Sequence, residues 1–190
     1  MKLGDQITVD EFRLMRNPPG MRLELHDGVT VPVPIQPFLH SLIGNNLMDI
    51  LDEALDGEAW IECPFRPKPE YDMRAANVGW ICSERACLID PDDNLYGPPD
   101  LAIEINAFRK SAEELNARRQ MFFDFGCPEF WLVEAAASMV LVTSLDGATR
   151  SFGKGESIPF RGAQISVDQI FKDHRQDLRP RTRPAKSCSS

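Results

Sequence analysis

Two acidic residues, Asp100 and Glu104, lie four positions apart in a segment that alternates between apolar and polar residues. Successive side chains of a strand point to opposite faces, so both carboxylates are predicted on one face, roughly 13 Å apart at about 3.3 Å per residue. Strand twist and side-chain reach would let both approach one metal ion, especially with a third acid nearby. The simpler interpretation is a surface strand with a polar outer face.

The helix predicted for residues 111–125 favours a functional interpretation over a plain surface strand. Its apolar stripe contains a cation, Arg118, three residues after Leu115 and four before Phe122. A cation on an apolar face needs an anionic partner or must extend to solvent. A pair of carboxylates on the neighbouring strand would supply that partner.

Composition limits the class of protein. A chain of 190 residues with 43% hydrophobic residues is typical of one globular domain, and its net charge of −8 argues against nonspecific coating of nucleic acid. A local basic groove stays compatible with that charge. There is no apolar run of bilayer-spanning length, and residues 1–10 lack the features of a signal peptide, so we predict a cytoplasmic protein. The five cysteines are an odd number, which favours free thiols over disulfides.

The chain order predicts a single domain over residues 1–174 and a disordered basic tail over 175–190. Thr8 and Glu11 have the spacing of a helix capping box, and Asp27-Gly28 between two apolar runs predicts a hairpin. Further helices are predicted at 38–55, 111–125 and 168–174, and further strands at 59–65, 77–82, 129–134 and 139–144, with short strand-like pieces in 157–167.

Two more polar residues have ordinary interpretations when taken alone. Glu24 lies in the first strand of the predicted hairpin, where an outward-facing acid is common. His40 lies at the start of the second predicted helix, where a histidine is more often a surface or capping residue than a ligand.

Three stretches, in their order and spacing, resemble a known family. They are LELHDG at 23–28, PDLAIE at 99–104 and GCPEFWLV at 126–133. The chain resembles, over about residues 8–172, the Uma-type family of putative restriction endonucleases within the PD-(D/E)XK nuclease superfamily. The resemblance implies an α/β (α+β) fold, with a restriction-endonuclease-like mixed central sheet flanked by helices. It also implies DNA as substrate and Mg²⁺ (or Mn²⁺) as cofactor, with carboxylates holding the metal and the metal activating water.

The resemblance assigns roles by position. Glu24, Asp100 and Glu104 match acidic family positions, with Asp100 and Glu104 as the expected metal ligands. Arg118 stands where the family usually has a catalytic lysine. Asn77 stands where it usually has a strand acid.

Departures from the family pattern at positions 77, 106–109 and 118 bear on whether the site is still catalytic. Asn77 and His40 are expected at the substrate. A neutral Asn77 holds a hard cation less well than aspartate, and Arg118 is neither a readily exchanging acid nor a compact point charge. The family's serine-rich segment is replaced at 106–109, so we expect weak or absent metal binding at a partly degenerate site.

Two classes of function follow from these departures. The first is a metal-dependent endonuclease that hydrolyses DNA phosphodiesters with a weakened site. The second is a catalytically inactive nuclease-fold module that binds nucleic acid or a protein partner. A homodimerisation unit is a third interpretation that the acidic net charge permits.

Overall fold

The computed structural model describes residues 6–107 and 110–173, and its architecture centres on a seven-stranded sheet. The helices are α1 (Val9–Arg13), α2 (Phe38–Ala54), α3 (Ser83–Ala86), α4 (Ala112–Asp124) and α5 (Val167–Ile170). The strands are β1 (Met21–His26), β2 (Val29–Pro34), β3 (Gly57–Arg66), β4 (Arg74–Cys82), β5 (Leu95–Tyr96), β6 (Leu101–Asn106), β7 (Glu129–Glu134), β8 (Met139–Ser144), β9 (Thr149–Phe152), β10 (Ser157–Phe160) and β11 (Ala163–Ser166).

The central sheet is mixed. Its strand order is β5-β3-β4-β6-β7-β8-β9, with β6 parallel to β7, β3 parallel to β5, and the other neighbours antiparallel. The hairpins β1–β2 and β10–β11 form two small separate sheets. The predicted mixed sheet flanked by helices is therefore confirmed.

Local sequence signals account for several element boundaries. The Thr8 hydroxyl accepts a hydrogen bond from Glu11 N while the Glu11 carboxylate accepts one from Thr8 N, which completes the predicted capping box of α1. Asp27 and Gly28 have φ angles of +49° and +79°, as a tight two-residue hairpin requires. Ser111 and Glu114 cap α4 in the same reciprocal way and fix where that helix begins.

The sheet separates two hydrophobic cores. The first core joins α2, α5 and the β10–β11 hairpin to one face of the sheet around Trp80 and Trp131. The second core joins α4 to the other face, where Phe122 packs near Phe65 and Phe130. With both faces covered, all six residues of β6 are buried, so the interpretation of this strand as a surface strand is wrong.

Strands β3 and β4 change faces at their midpoints. Ala59 belongs to the first core, whereas Cys63 belongs to the second, although strict alternation would put them on one face. Between them Glu62 has a φ of +49°, a left-handed conformation that is uncommon for a residue other than glycine. On β4, Ala76 belongs to the second core and Val78 to the first, so the change of face coincides with Asn77.

Some elements differ from the sequence-based expectation. The short helix α3 and the short strand β5 lie in or beside the stretch 87–99, for which the sequence predicts a loop, and β9 is not predicted as a separate strand. The predicted tail at 175–190 lies outside the described residues. No described helix has both the length and the apolar character needed to cross a membrane.

Candidate active site

A polar cleft of about 190 Å³ lies where the β1–β2 hairpin and α4 meet the sheet near Asn77. Besides His26, its walls carry as many acidic side chains as arginine and lysine side chains, a local balance that contrasts with the net charge of −8 for the whole chain. These are the acids Glu24, Glu104 and Glu114 and the bases Arg22, Lys110 and Arg118.

Glu24 reaches the cleft because its hairpin is anchored to the segment before β4. Leu25 and Met73 exchange two backbone hydrogen bonds of 2.8 Å, which dock the hairpin at this level of the sheet. The Glu24 carboxylate is 3% exposed and accepts hydrogen bonds from Arg22 Nη1 at 2.9 Å and Arg118 Nη1 at 3.4 Å. His26 Nε2 lies 2.8 Å from the same carboxylate.

The charge of Glu24 is strongly stabilised. Burial alone would raise the pKa of its carboxyl, but the hydrogen bond from His26 and the charges of Arg118 and Arg22 outweigh burial and lower the pKa to about 2. Glu24 is therefore a permanent anion at neutral pH.

Arg118 pairs with two carboxylates at once. Its Nη2 donates to Glu104 Oε1 at 3.0 Å and to the carbonyl oxygen of Ala75, while its Nη1 donates to Glu24. Burial opposes the charged guanidinium, yet Glu104 and Glu24 together hold the pKa of Arg118 above its usual value. The predicted pairing of Arg118 with a carboxylate of the neighbouring strand, Glu104 or Asp100, is confirmed, and the partner is Glu104.

Glu62 on β3, Asn77 on β4 and Glu104 on β6 occupy neighbouring positions across the sheet. The ladder of β3 and β4 is paired on either side of Glu62 and Asn77, so these two residues lie opposite each other. Continuing the register of β4 and β6 puts Asn77 opposite Glu104. Asn77 Oδ1 accepts a 2.9 Å hydrogen bond from the backbone amide of Ile105, in place of a ladder bond.

Glu62 is a residue of this region that the sequence did not single out. Arg22 Nε lies 2.9 Å from Glu62 Oε2 while Arg22 Nη1 contacts Glu24. Burial raises the pKa of Glu62, Arg22 opposes that effect, and the neighbouring charges of Glu104 and Glu24 add to it. Nothing in the sequence spacing distinguishes Glu62 from an ordinary strand acid. The left-handed backbone conformation at Glu62, which accompanies the change of face in β3, is visible only in the structure.

Six charged side chains in and beside the cleft form one alternating chain of ion pairs. Each contact joins an acid to a base, and the chain ends at the Lys110 ammonium, whose Nζ lies 3.6 Å from Glu104 Oε2. In order the members are Glu62, Arg22, Glu24, Arg118, Glu104 and Lys110. Three negative and three positive groups leave this chain, which we call the ion-pair chain, with no net charge.

Asp100 does not join this arrangement. Its carboxylate accepts hydrogen bonds from Arg85 Nη1 at 2.8 Å and from the backbone amide of Cys82 at 2.9 Å. Burial would raise the pKa of Asp100, but these two partners lower it overall. The expected convergence of Asp100 with Glu24 and Glu104 is thus not observed. Ala102, between the two acids on β6, is covered by the second core, and α3 supplies Asp100 with its own cation.

His40 is buried behind the cleft rather than exposed at the start of its helix. It is 2% exposed, and burial lowers its pKa, although Asn77 and the charge of Glu104 act in the opposite direction. Within the described residues its Nε2 has no hydrogen-bond partner. Its expected role at the substrate stays a prediction.

Comparison with known proteins identifies the family and the fold of this chain. The Uma2 family, whose description is "putative restriction endonuclease", matches residues 9–175. The chain belongs to the Uma2 family. The fold is similar to that of a crystal structure from Anabaena variabilis, described as a putative nuclease belonging to DUF820. The TM-score is 0.69 and the sequence identity 17%, and the match covers 87% of this chain and 97% of the Anabaena chain. No curated protein sequence matches the Uma2 chain significantly.

The Uma2 cleft does not fit a hard divalent cation in this arrangement. Such ions need several anionic or carbonyl oxygens at once. Both oxygens of Glu24 and one of Glu104 accept hydrogen bonds from arginine or histidine, and Asn77 Oδ1 is used by Ile105. Among residues 6–107 and 110–173, no three His, Cys, Asp or Glu side chains are grouped to hold a metal. Glu104 Oε2 is the remaining carboxylate oxygen of Glu24 and Glu104 without a hydrogen-bond partner in the described residues.

The depressed pKa of Glu24 predicts acid sensitivity. Because the folded pKa is about 2 against an ordinary 4.5, the ionised carboxylate stabilises the fold fully above pH 4.5, and this contribution is lost as pH falls towards 2. The loss should reach about 3 kcal/mol, at 1.36 kcal/mol per pKa unit. Urea unfolding at a series of pH values measures it. A Glu24→Gln variant should lack this component, whereas Glu113→Gln, on the exposed first turn of α4, should retain it; equal acid sensitivity in both variants would contradict the assignment.

Proposed function

We propose that this protein is a restriction-endonuclease-type domain that engages DNA phosphodiesters in the Glu104 cleft and hydrolyses them slowly. One observation carries the proposal: Arg118 is paired simultaneously with Glu24 and Glu104, two of the three carboxylates that the family resemblance assigns to the site. The guanidinium occupies oxygens that would otherwise serve as ligands, and Asn77 supplies no negative charge to replace them.

Membership of the Uma2 family supports DNA as the substrate class. The balanced charge of the cleft supports it too. A phosphodiester approaching this chain meets a net charge of −8 elsewhere, yet the cleft itself offers as many cations as anions. The phosphate backbone is the part of DNA that such cations recognise, without regard to sequence.

Glu104 is the residue best placed for chemistry. Its Oε2 is buried, lacks a hydrogen-bond partner among the described residues, and can accept a hydrogen bond from an attacking water. General-base assistance of this kind contributes typically 10²–10⁴-fold, which is far below the acceleration of efficient phosphoester hydrolysis. The expected activity is therefore nicking that is slow and depends on Glu104.

Supercoiled plasmid nicking with Mn²⁺ or Mg²⁺ tests the proposal. We expect slow nicking by the parent and none above background by Glu104→Gln, with Glu113→Gln equal to the parent because Glu113 is exposed outside the cleft. Fluorescence anisotropy with a short DNA duplex, measured on the same samples, reports binding separately.

A parent that binds the duplex but never nicks it favours the second candidate, a nuclease-fold module without catalysis. The observation behind that candidate is that Arg118 already pairs with both Glu24 and Glu104 in the ion-pair chain. A parent that neither binds nor nicks DNA would overturn the proposal. Binding of a protein partner, homodimer formation and a cytoplasmic location stay predictions from the sequence.

A further inference from the structure

The cations of the cleft differ in how many of their donors are already used. Arg22 donates through Nη1 to Glu24 and its Nε pairs with Glu62, so two acids hold its guanidinium. Arg118 is held by Glu24, Glu104 and the carbonyl oxygen of Ala75. Neither arginine can turn towards a new anion without abandoning a buried carboxylate, which is energetically costly.

Lys110 is the exception. Its side chain is 34% exposed, against 17% for Arg118 and 22% for Arg22. Its Nζ lies 3.6 Å from Glu104 Oε2, which is too long for a hydrogen bond. Within residues 6–107 and 110–173 this is the one ion pair of the ammonium, so its three N–H donors are available.

The backbone of Lys110 is fixed even though its side chain is open to solvent. Its amide donates a 2.9 Å hydrogen bond to Asn106 Oδ1, and Asn106 Nδ2 in turn donates to Glu134 Oε2 at 2.9 Å. Asn106 itself is 8% exposed at the end of the central strand β6. The ammonium therefore extends over the mouth of the cleft from an anchored position.

We propose that Lys110 is the residue that binds a phosphate oxygen of DNA in this cleft. The inference rests on the proposed function and adds to it a contact that the family pattern does not assign. A compact ammonium with three free donors suits a phosphate as a point charge, whereas both arginines are committed to carboxylates. A phosphate held by Lys110 would lie beside Glu104 Oε2, the oxygen that can orient a water.

The affinity of a short fluorescent DNA duplex, without divalent metal and over about 50–200 mM salt, tests this contact. The slope of log K against log salt is negative, and removing one phosphate contact makes it shallower by about 0.9. We expect Lys110→Ala and Lys110→Gln to show that smaller slope and an affinity lower on the order of tenfold at the low-salt end. Lys110→Arg should keep the parent slope.

Lys154→Ala is the matched control, because Lys154 is exposed in the turn between β9 and β10 and its loss changes the net charge equally. If Lys110→Ala and Lys154→Ala have the same affinity and slope while the parent binds, Lys110 is not the phosphate contact, and the proposed function stands. If the parent itself does not bind the duplex, both proposals fail. Circular dichroism melting shows whether each variant is folded under the assay conditions.

Discussion

Replacing Arg118 with alanine should lower the free energy of unfolding by about 3–5 kcal/mol, the range for removing one partner of a buried ion pair. The reason is what the substitution leaves behind. Glu24 and Glu104, 3% and 1% exposed, would lose their shared cation while remaining buried. The loss of packing against the Phe122 ring, whose centroid lies 5.4 Å from Arg118 Cζ, adds to the effect.

Urea denaturation of Arg118→Ala, two further variants and a control separates the effect of charge from that of packing. Arg118→Met keeps an apolar stem over Phe122, so it should be nearly as unstable as Arg118→Ala if unpaired carboxylates dominate. Adding Glu24→Gln and Glu104→Gln to Arg118→Met should recover most of the loss, because replacing all partners removes the buried charges. Arg119→Ala, one residue along α4 and outside the ion-pair chain, should stay within about 0.5 kcal/mol of the parent.

A loss below about 0.5 kcal/mol for Arg118→Ala, the size typical of surface substitutions, would contradict this pairing and indicate that Arg118 faces solvent. If Arg118→Met loses stability as expected but adding Glu24→Gln and Glu104→Gln does not restore it, the loss is due to packing rather than to unpaired carboxylates.

The double variant Asn77→Asp with Arg118→Lys should bind Mn²⁺ measurably where the parent does not. An aspartate at position 77 would place a third acid between Glu62 and Glu104 and would still accept the amide hydrogen of Ile105. The guanidinium of Arg118 holds Glu24 through Nη1 and Glu104 through Nη2, whereas a compact ammonium lacks this fork and would leave carboxylate oxygens free. Hard anionic oxygens are the ligands that Mn²⁺ and Mg²⁺ prefer.

Calorimetric titration and thermal melting measure this gain. A metal that binds only the folded chain stabilises it by about 2.7 kcal/mol at a concentration of 100 Kd. Asn77→Asp alone should bind Mn²⁺ more strongly than the parent but more weakly than the double variant. Without metal it should be less stable than the parent, since the added carboxylate repels its neighbours. The matched control is Asn45→Asp with Arg119→Lys, which makes the same charge change on the exposed side of α2 and outside the ion-pair chain on α4.

The outcomes of this experiment discriminate between causes. If the double variant and its control bind Mn²⁺ equally poorly, position 77 is not a lost ligand position. If the double variant binds Mn²⁺ but nicks plasmid no faster than the parent, other parts of the groove limit catalysis, and the binding-module candidate gains support.

The sequence predicted most of the scaffold because its signals were local. The Thr8 capping box and the Asp27-Gly28 turn are set by neighbours in the chain, and the structure confirms them. The capping box at Ser111 is equally local, although it is not among the sequence-based predictions. Alternation over 101–106 also indicates a strand there, and helical spacing puts Arg118 on the apolar stripe of α4. The spacing alone leaves open whether that cation pairs with a carboxylate or extends to solvent.

The site was predicted less well because its geometry depends on contacts between distant segments. Strand alternation predicts Asp100 and Glu104 on one face of the strand, but it cannot foresee that Asp100 pairs with Arg85. Glu62 joins the ion-pair chain because β3 changes faces, an event that period-two reasoning excludes. Lys110 belongs to no motif, and only its distance to Glu104 draws attention to it.

The side-chain hydrogen bond from Asn77 to the Ile105 amide has a consequence for hydrogen exchange. Most protected amides of a central strand report the stability of the whole sheet, since backbone partners shield them. The Ile105 amide is shielded by a side chain of the cleft instead. Its exchange with deuterium therefore follows local opening at Asn77, so a single backbone resonance can monitor the state of this site while the rest of β6 reports global unfolding.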